Sequence, residues 1–341
     1  IVSIANRFHW DVPASGTLLV GWVVLGPICG SLRWRPHVWL TAAAGSGKSA
    51  ILDRYVNVLL GDMRLVVVGN STEAGIRQFL RCDALPVVFD EAESNERSDQ
   101  QRIQSILSLA RVASSESQAT TVKGTPAGEV SRFQVRSMFL LSSISTGLKQ
   151  GADRRRFAQL TLRNPAEIPL ADRQQHWQSL DHDLDQLITP EFGSRLLART
   201  ISLLPVILGA VQVSTRVAAK YFDSQALGDQ YGTLLAGAWA RGIADAYEMM
   251  GQGAVLLNGN GCVLHASPRA HVLMQDSISI VGDHMVGATL QANEAIERVI
   301  EQGLSPASEG CAQITIESAN GRRIIVRAAS VPSAQNHAIQ L

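Results

Sequence analysis

Lysine is scarce in this chain: of 30 lysines and arginines, only Lys48, Lys123, Lys149 and Lys220 are lysines. The 30 basic and 30 acidic residues cancel, so no global positive field marks a nucleic-acid binder and no acidic excess marks a solvated, disordered chain. Any DNA contact has to come from a local patch. Cysteine is equally sparse. Cys29, Cys82, Cys262 and Cys311 lie far apart with no CxxC pair, which fits neither a zinc motif nor a disulfide framework and suits a reducing cytosol, with the thiols buried or incidental. Long apolar runs are missing too. The most membrane-like stretch, GTLLVGWVVLGPICGSL from Gly16 to Leu32, is short for a span and is interrupted by Pro27. It reads as a buried helix, and a cytoplasmic protein without membrane contact is expected. No signal-peptide pattern is found, and opening on Ile1 rather than Met is expected of a fragment or a processed piece.

What is present is a phosphate-gripping pattern. Such a loop follows G-x-x-x-x-G-K-[ST] between a strand and a helix. HVWLTA supplies a β-rich strand, and SAILDRYVNVLLGD carries Ile51, Leu52, Tyr55, Val56, Leu59 and Leu60 at helical spacing. Between them stand Gly45, Ser46, Gly47, Lys48, Ser49 and Ala50. The two glycines let backbone N–H groups turn inward around an anion, and the helix adds its positive N-terminal end. Lys48 is placed to reach the β and γ phosphates, and the Ser49 hydroxyl to ligate Mg²⁺. ATP and Mg²⁺ are therefore the expected cofactors. Ala42 occupies the position of the usual first glycine. A small residue is acceptable there provided its backbone does not need positive φ.

Downstream, ALPVVFDEAES reads as a buried parallel strand, Val87 to Phe89, with Asp90 and Glu91 at its C-terminal end. Open α/β sheets place their chemistry at such ends. Asp90 can hold Mg²⁺ through water, and Glu91 can orient and polarise an attacking water. VRSMFLLSSIS reads as another buried strand ending in Ser142 and Ser143, and GADRRRFAQLTL puts Arg154, Arg155 and Arg156 before a further strand. Taken alone, the serines close a strand and the arginines form a solvated turn.

Several phrases together, WRPHVWLTAAAGSGKS, STEAGIRQFLRCDALPVVFDEAES, IQSILSLARVASSESQATTVKGT and SMFLLSSI with ADRRRF, resemble the ATPase part of primase–helicase proteins of phages and integrative elements, AAA-like ring ATPases of the superfamily-3 type. The likeness covers about Trp10 to Gly242. It implies an α/β fold: a P-loop parallel sheet with helices on both faces, a helical lid, and a homo-oligomer, a hexamer, that moves along single-stranded DNA in its channel during replication of a mobile element. It also implies a γ-phosphate sensor at Ser142 and an arginine finger acting on the neighbouring subunit, Arg156 first and Arg154 second. Finally, it implies a hairpin, signalled by KGTPAG, with Lys123 at its tip touching DNA phosphates and Arg132 and Arg136 nearby in sequence. Elsewhere Asn70 and Glu73 suggest a capping-box helix start, and Ile103, Ile106, Leu107, Leu109 and Val112 an amphipathic helix. His176 and His182 match no standard ligand spacing and read as a solvated helix face.

Three units are expected: 1–166 as the ATPase core, 167–249 as the helical lid, and 251–341 as a small α+β domain. In the last, two apolar runs flank Asn258-Gly259-Asn260-Gly261, a strong hairpin signal. Its order of strands and helices resembles PAS-like sensory domains, particularly those of LuxR-type regulators. His265, His271 and His284 read as surface or structural residues rather than haem ligands. A rival function follows from that tail: a signalling ATPase whose tail senses or dimerises and which ignores DNA.

Overall fold

Seven strands lie within the first 161 residues of the computed structural model: β1 (His37–Thr41), β2 (Leu65–Val68), β3 (Val87–Asp90), β4 (Thr121–Gly124), β5 (Val130–Phe133), β6 (Phe139–Ser143) and β7 (Phe157–Thr161). The structure describes residues 1–92, 97–115, 121–124, 130–148, 150–167, 169–239, 253–258, 260–266, 268–304, 312–317, 323–330 and 336–340. Five of the strands form one sheet in the order β2-β3-β6-β1-β7, and every pairing in it is parallel. The C-terminal ends of all five therefore share one edge. β4 and β5 form a separate antiparallel hairpin between β3 and β6 in sequence.

The inner strands β1, β3 and β6 are covered on both faces, which is why they read as unbroken apolar runs, while Val66 and Val68 of the edge strand β2 are exposed on one face. Trp39, Phe89, Phe139 and Leu141 pack with Leu65 and with Ile76, Leu80, Ile103, Ile106 and Leu107 from helices Glu73–Leu80 and Arg97–Ala113. Val38, Leu40, Val88 and Leu140 alternate with that set and are equally buried. Helix Ser15–Leu25 lies against β1 and β7. Leu19, Trp22 and Leu25 are inaccessible, so the most membrane-like stretch is a core helix. Its Gly21 has no room for a side chain: an added Cβ would sit 1.9 Å from the Leu234 carbonyl oxygen. No single helix among the described residues is long and apolar enough to cross a membrane.

Two local expectations change. Helix Glu73–Leu80 is capped by Thr72, whose hydroxyl accepts from the Gly75 N–H at 3.2 Å. Asn70 lies two residues too early to cap it, and Glu73 pairs with Arg77 one turn on, at 2.8 Å. In helix Arg97–Ala113, Val112 faces solvent while Ala110 and Ala113 are buried. The core there needs small side chains more than another branched one.

The chain divides into two compact units, Ile1–Ile201 with Ser214–Ala238, and Ser202–Val213 with Trp239–Leu341. The first holds the sheet and also helices Leu170–Leu187 and Pro190–Ser202 up to Ile201. The second has β8 (Ala254–Asn258), β9 (Val263–Ala266), a hairpin of β10 (Ile278–Val281) and β11 (His284–Gly287), β12 (Ala312–Glu317), β13 (Arg323–Ser330) and β14 (Asn336–Gln340). Its main sheet is antiparallel, in the order β12-β13-β14-β8-β9. Helix Leu290–Leu304 presents Ala292, Ile296 and Val299 to a core with Val255, Leu257, Ile316, Ile324 and Val326. That spacing is one helical face. β14 is the strand with no clear sequence signal, yet it lies between β13 and β8.

His37 ties the first unit together. Its ring accepts from the Phe139 N–H at 3.0 Å and donates to the Ala110 carbonyl at 2.8 Å, and its own carbonyl accepts from the Gln230 amide at 2.7 Å. Burial, aided by the charges of Arg35 and Arg156, pushes its pKa down to about 3 from 6.5, against the raising effect of the Ala110 bond. The unfolded chain takes up this proton first, so stability is full above the ordinary imidazole range and falls as pH drops through it toward the folded value. Between neutral pH and about pH 4 this residue removes about 3 kcal/mol of stability. A His37→Asn variant, less stable at neutral pH, should lose correspondingly less over that range in pH-dependent thermal unfolding.

Candidate nucleotide-binding site

The loop between β1 and the helix through Ala50–Val56 and Asn57–Leu60 follows the C-terminal edge of the sheet. Gly45 and Gly47 have φ of 77° and 95°, a left-handed backbone that glycine adopts without steric cost. Backbone of this kind forms the concave amide nests that hold anions. Ser46 N–H donates to the Ala43 carbonyl at 3.2 Å, while the Ser46 hydroxyl is buried with no protein partner. Lys48 opens the helix, and Ser49 stays exposed and makes no capping bond. Ile51, Leu52, Tyr55 and Val56 are buried and anchor that helix.

Ala42 is not among the positive-φ residues of the described chain. It is buried, and its N–H donates to the Ser143 carbonyl at 3.3 Å. The loop therefore starts as an extension of β1, and a glycine there is not required.

Asp90 is where the elements meet. Its Oδ1 lies 3.3 Å from the Lys48 ammonium and accepts from the Ser142 hydroxyl at 2.9 Å and from the Glu91 N–H at 2.8 Å. Ser142 is fully buried on β6, the strand between β3 and β1. Glu91 has φ of 57° and is exposed. A non-glycine residue held there costs roughly 1 kcal/mol or more and marks a position the surroundings over-determine. Its Oε2 faces Gly69, where an added Cβ would stand 3.4 Å away. Lys48, Asp90, Glu91 and Ser142 are thus brought together, with Gly45, Ser46 and Gly47 on the adjoining loop and Ser49 and Ala50 in the first turn of the helix. The glycine-lined cradle, the partnerless Ser46 hydroxyl and a cation facing a carboxylate fit a magnesium–triphosphate in charge and donor type.

The arginines lie elsewhere. Arg156 precedes β7, and its carbonyl accepts from the His37 N–H at the start of β1. It therefore sits about a strand length, roughly 16 Å, from this chain's own loop. Its guanidinium lies over Trp34 at 5.8 Å and donates to the Ala152 carbonyl at 3.0 Å. Arg154 is exposed, with its Nε on the Leu148 carbonyl at 3.2 Å. Neither joins the site within its own chain. Lys123 is within β4, paired with Ser131, and not at a turn; the KGTPAG turn falls largely outside the described residues. Among the described residues His176 and His182 join no metal-ligating group. His176 is not simply solvated, however: its ring lies tilted against His9 at 4.4 Å and bonds the Arg7 carbonyl at 2.7 Å.

That contact belongs to a feature the sequence reading missed. A cavity of about 190 Å³ opens beside Gly45–Gly47, walled by Phe8, Trp177 and Leu180 with Arg163, Arg173 and Gln174. Phe8 and Trp177 meet edge to face at 6.3 Å, and an added Cβ on Gly47 would lie 3.0 Å from the Trp177 ring. The Arg173 Nε is buried without a partner. Burial, then the charges of His176 and Arg163, lowers the His9 pKa. The usable signal is Trp177 with Leu180, three residues on, as the apolar residues of the polar stretch DRQQHWQSLDHD.

No protein-family profile matches the chain, and no curated protein matches it in sequence. Among solved structures it is similar to an active helicase, SCCmec type IV Cch, at 12% identity and a TM-score of 0.42, over 71% of this chain and 43% of that one. It is also similar to the NrS-1 C-terminal region in an apo form, at 12% identity and a TM-score of 0.37, over 64% and 55%. A second apo structure of that region gives 14% identity and a TM-score of 0.34, over 95% and 74%. The chain spans about half the length of the first two structures.

Two outcomes test the site. Ala42→Gly should leave triphosphate affinity within about twofold and cost stability by no more than about 1 kcal/mol; isothermal titration and thermal melts measure both. Magnesium–triphosphate should change Trp177 fluorescence, by a signal that disappears in Trp177→Phe.

Proposed function

We propose that this chain hydrolyses ATP with Mg²⁺ and that the hydrolysis drives movement along single-stranded DNA within a ring of identical subunits, in replication of a mobile element in the cytoplasm. The observation that carries the hydrolase reading is the meeting of Lys48, Ser142 and the Glu91 N–H on one oxygen of Asp90, beside the glycine loop. Gly45, Ser46, Gly47, Lys48, Ser49 and Ala50 hold the phosphates, and Ser49 and Asp90 hold the metal. Mg²⁺ supplies charge that polarises the terminal phosphate. Lys48 turns from Asp90 toward the incoming anion, and Ser142 keeps the Asp90 carboxylate fixed as it does so. Glu91 orients and polarises the attacking water, its backbone held by the Asp90 bond. Phe8 and Trp177 give the adjoining cavity an apolar wall.

Arg156, with Arg154 second, acts on the next subunit, which accords with their distance from this chain's own loop. Lys123 and the β4–β5 hairpin face DNA in the channel. Residues 167–249 form the lid, and 251–341 a PAS-like domain, a reading supported by the antiparallel five-stranded sheet with a helix across it.

Glu91→Gln should keep triphosphate affinity and lose turnover about 100-fold or more, in steady-state phosphate release. An Arg156→Ala variant should be equally slow, and mixing the two inactive proteins should restore turnover, because each supplies the group the other lacks. Single-stranded DNA should accelerate the wild type, with binding that weakens steeply as salt rises. A rate indifferent to DNA supports the signalling ATPase instead.

A further inference from the structure

The second unit carries a cluster that linear spacing conceals. Cys262 follows the β8–β9 turn, and Asp283 and His284 lie twenty-odd residues later at the β10–β11 turn. The fold sets the two turns side by side: the Val263 N–H, next to Cys262, donates to the Asp283 carbonyl at 2.5 Å. Gly261 and Gly282, with φ of 79° and 65°, make the tight reversals that allow this approach. His284 Nδ1 lies 2.6 Å from Asp283 Oδ1, which leaves its Nε2 facing the Cys262 sulfur at 3.9 Å. One ligand-type atom from each of the three residues falls within 4.8 Å of the others.

We propose that Cys262 and His284 bind a zinc-class divalent cation, with Asp283 holding the imidazole and water filling the open positions. A sulfur and a nitrogen on one tetrahedral zinc stand roughly 3.5 Å apart, so the observed separation has to close by only a few tenths of an ångström. A carboxylate on the far ring nitrogen fixes the tautomer and aims Nε2 outward, an arrangement that recurs behind metal-bound histidines. Thiolate with imidazole selects zinc-class ions over magnesium or calcium, so this site does not compete for the ion expected at Asp90. Cys262 loses its proton on binding, and the Asp283 carboxylate adds a second negative charge near the ion. Asp283 and His284 are largely solvent-accessible, so the ion exchanges readily and binds more weakly than in a closed four-ligand site. It joins the turns of two hairpins, β8–β9 and β10–β11, and its loading changes the charge of that surface.

Cobalt(II) titration of the full chain tests this, because a thiolate-bound cobalt gives a charge-transfer absorption that an oxygen-bound one does not. The expected result is a band saturating at one ion per chain and displaced by zinc. It should be absent from Cys262→Ser, retained in Cys82→Ser, and shifted to at least about tenfold weaker affinity in Asp283→Asn. The three substitutions lie at solvent-accessible positions, and circular dichroism should show the fold intact in each. No band in the wild type, or a band that persists in Cys262→Ser, overturns the proposal.

Discussion

One carboxylate oxygen organises the first unit. Asp90 Oδ1 receives the Ser142 hydroxyl, the N–H of its own neighbour Glu91 and the Lys48 ammonium, at the partly exposed rim of the sheet. The strand order makes this possible. β6 lies between β3 and β1, so Ser142 stands beside the acidic strand end and holds Asp90, which reaches Lys48 directly. Because the pairings are parallel, all three reach the same edge in register. An antiparallel neighbour would have sent its end to the other side.

Much of this was legible in the sequence, for identifiable reasons. The inner strands β3 and β6 of the parallel sheet are buried on both faces, so Val87 to Phe89 and Phe139 to Leu141 stand out as apolar runs. The helix after the loop shows its period because its buried residues face one way. The rest was less legible where tertiary context decides. Asn70 and Thr72 are both good caps, and only the path of the chain selects Thr72. Lys123 lies next to turn-forming residues, but pairing with Ser131 draws it into the strand. Phe8 and Trp177 lie 169 positions apart, so nothing local announces that they share a wall beside Gly47. β14 has little alternation of its own and is held by neighbours on both sides.

The two units differ in how they carry polar groups. In the first, they are concentrated at one sheet edge and in buried ties such as His37 and Arg35, whose guanidinium bonds the carbonyls of Leu32, Ala113 and Ser115. In the second, Ser277 is the one buried polar side chain among the described residues, and the ionisable cluster of Cys262, Asp283 and His284 lies outside the hydrophobic core, at turns. A nucleotide site needs rigid walls; an exchangeable ion needs access. Each unit's construction suits the chemistry assigned to it.

The central claim is that Lys48 and Asp90 serve one magnesium–triphosphate pocket. A double-mutant cycle on Lys48→Ala and Asp90→Asn, read as the affinity for a magnesium-bound, non-hydrolysable triphosphate, addresses it most directly. Two groups acting on one bound species are coupled, so the double variant should lose less than the two single losses combined, by about 1 kcal/mol or more. Losses that simply add, or no loss in either single variant, would contradict it.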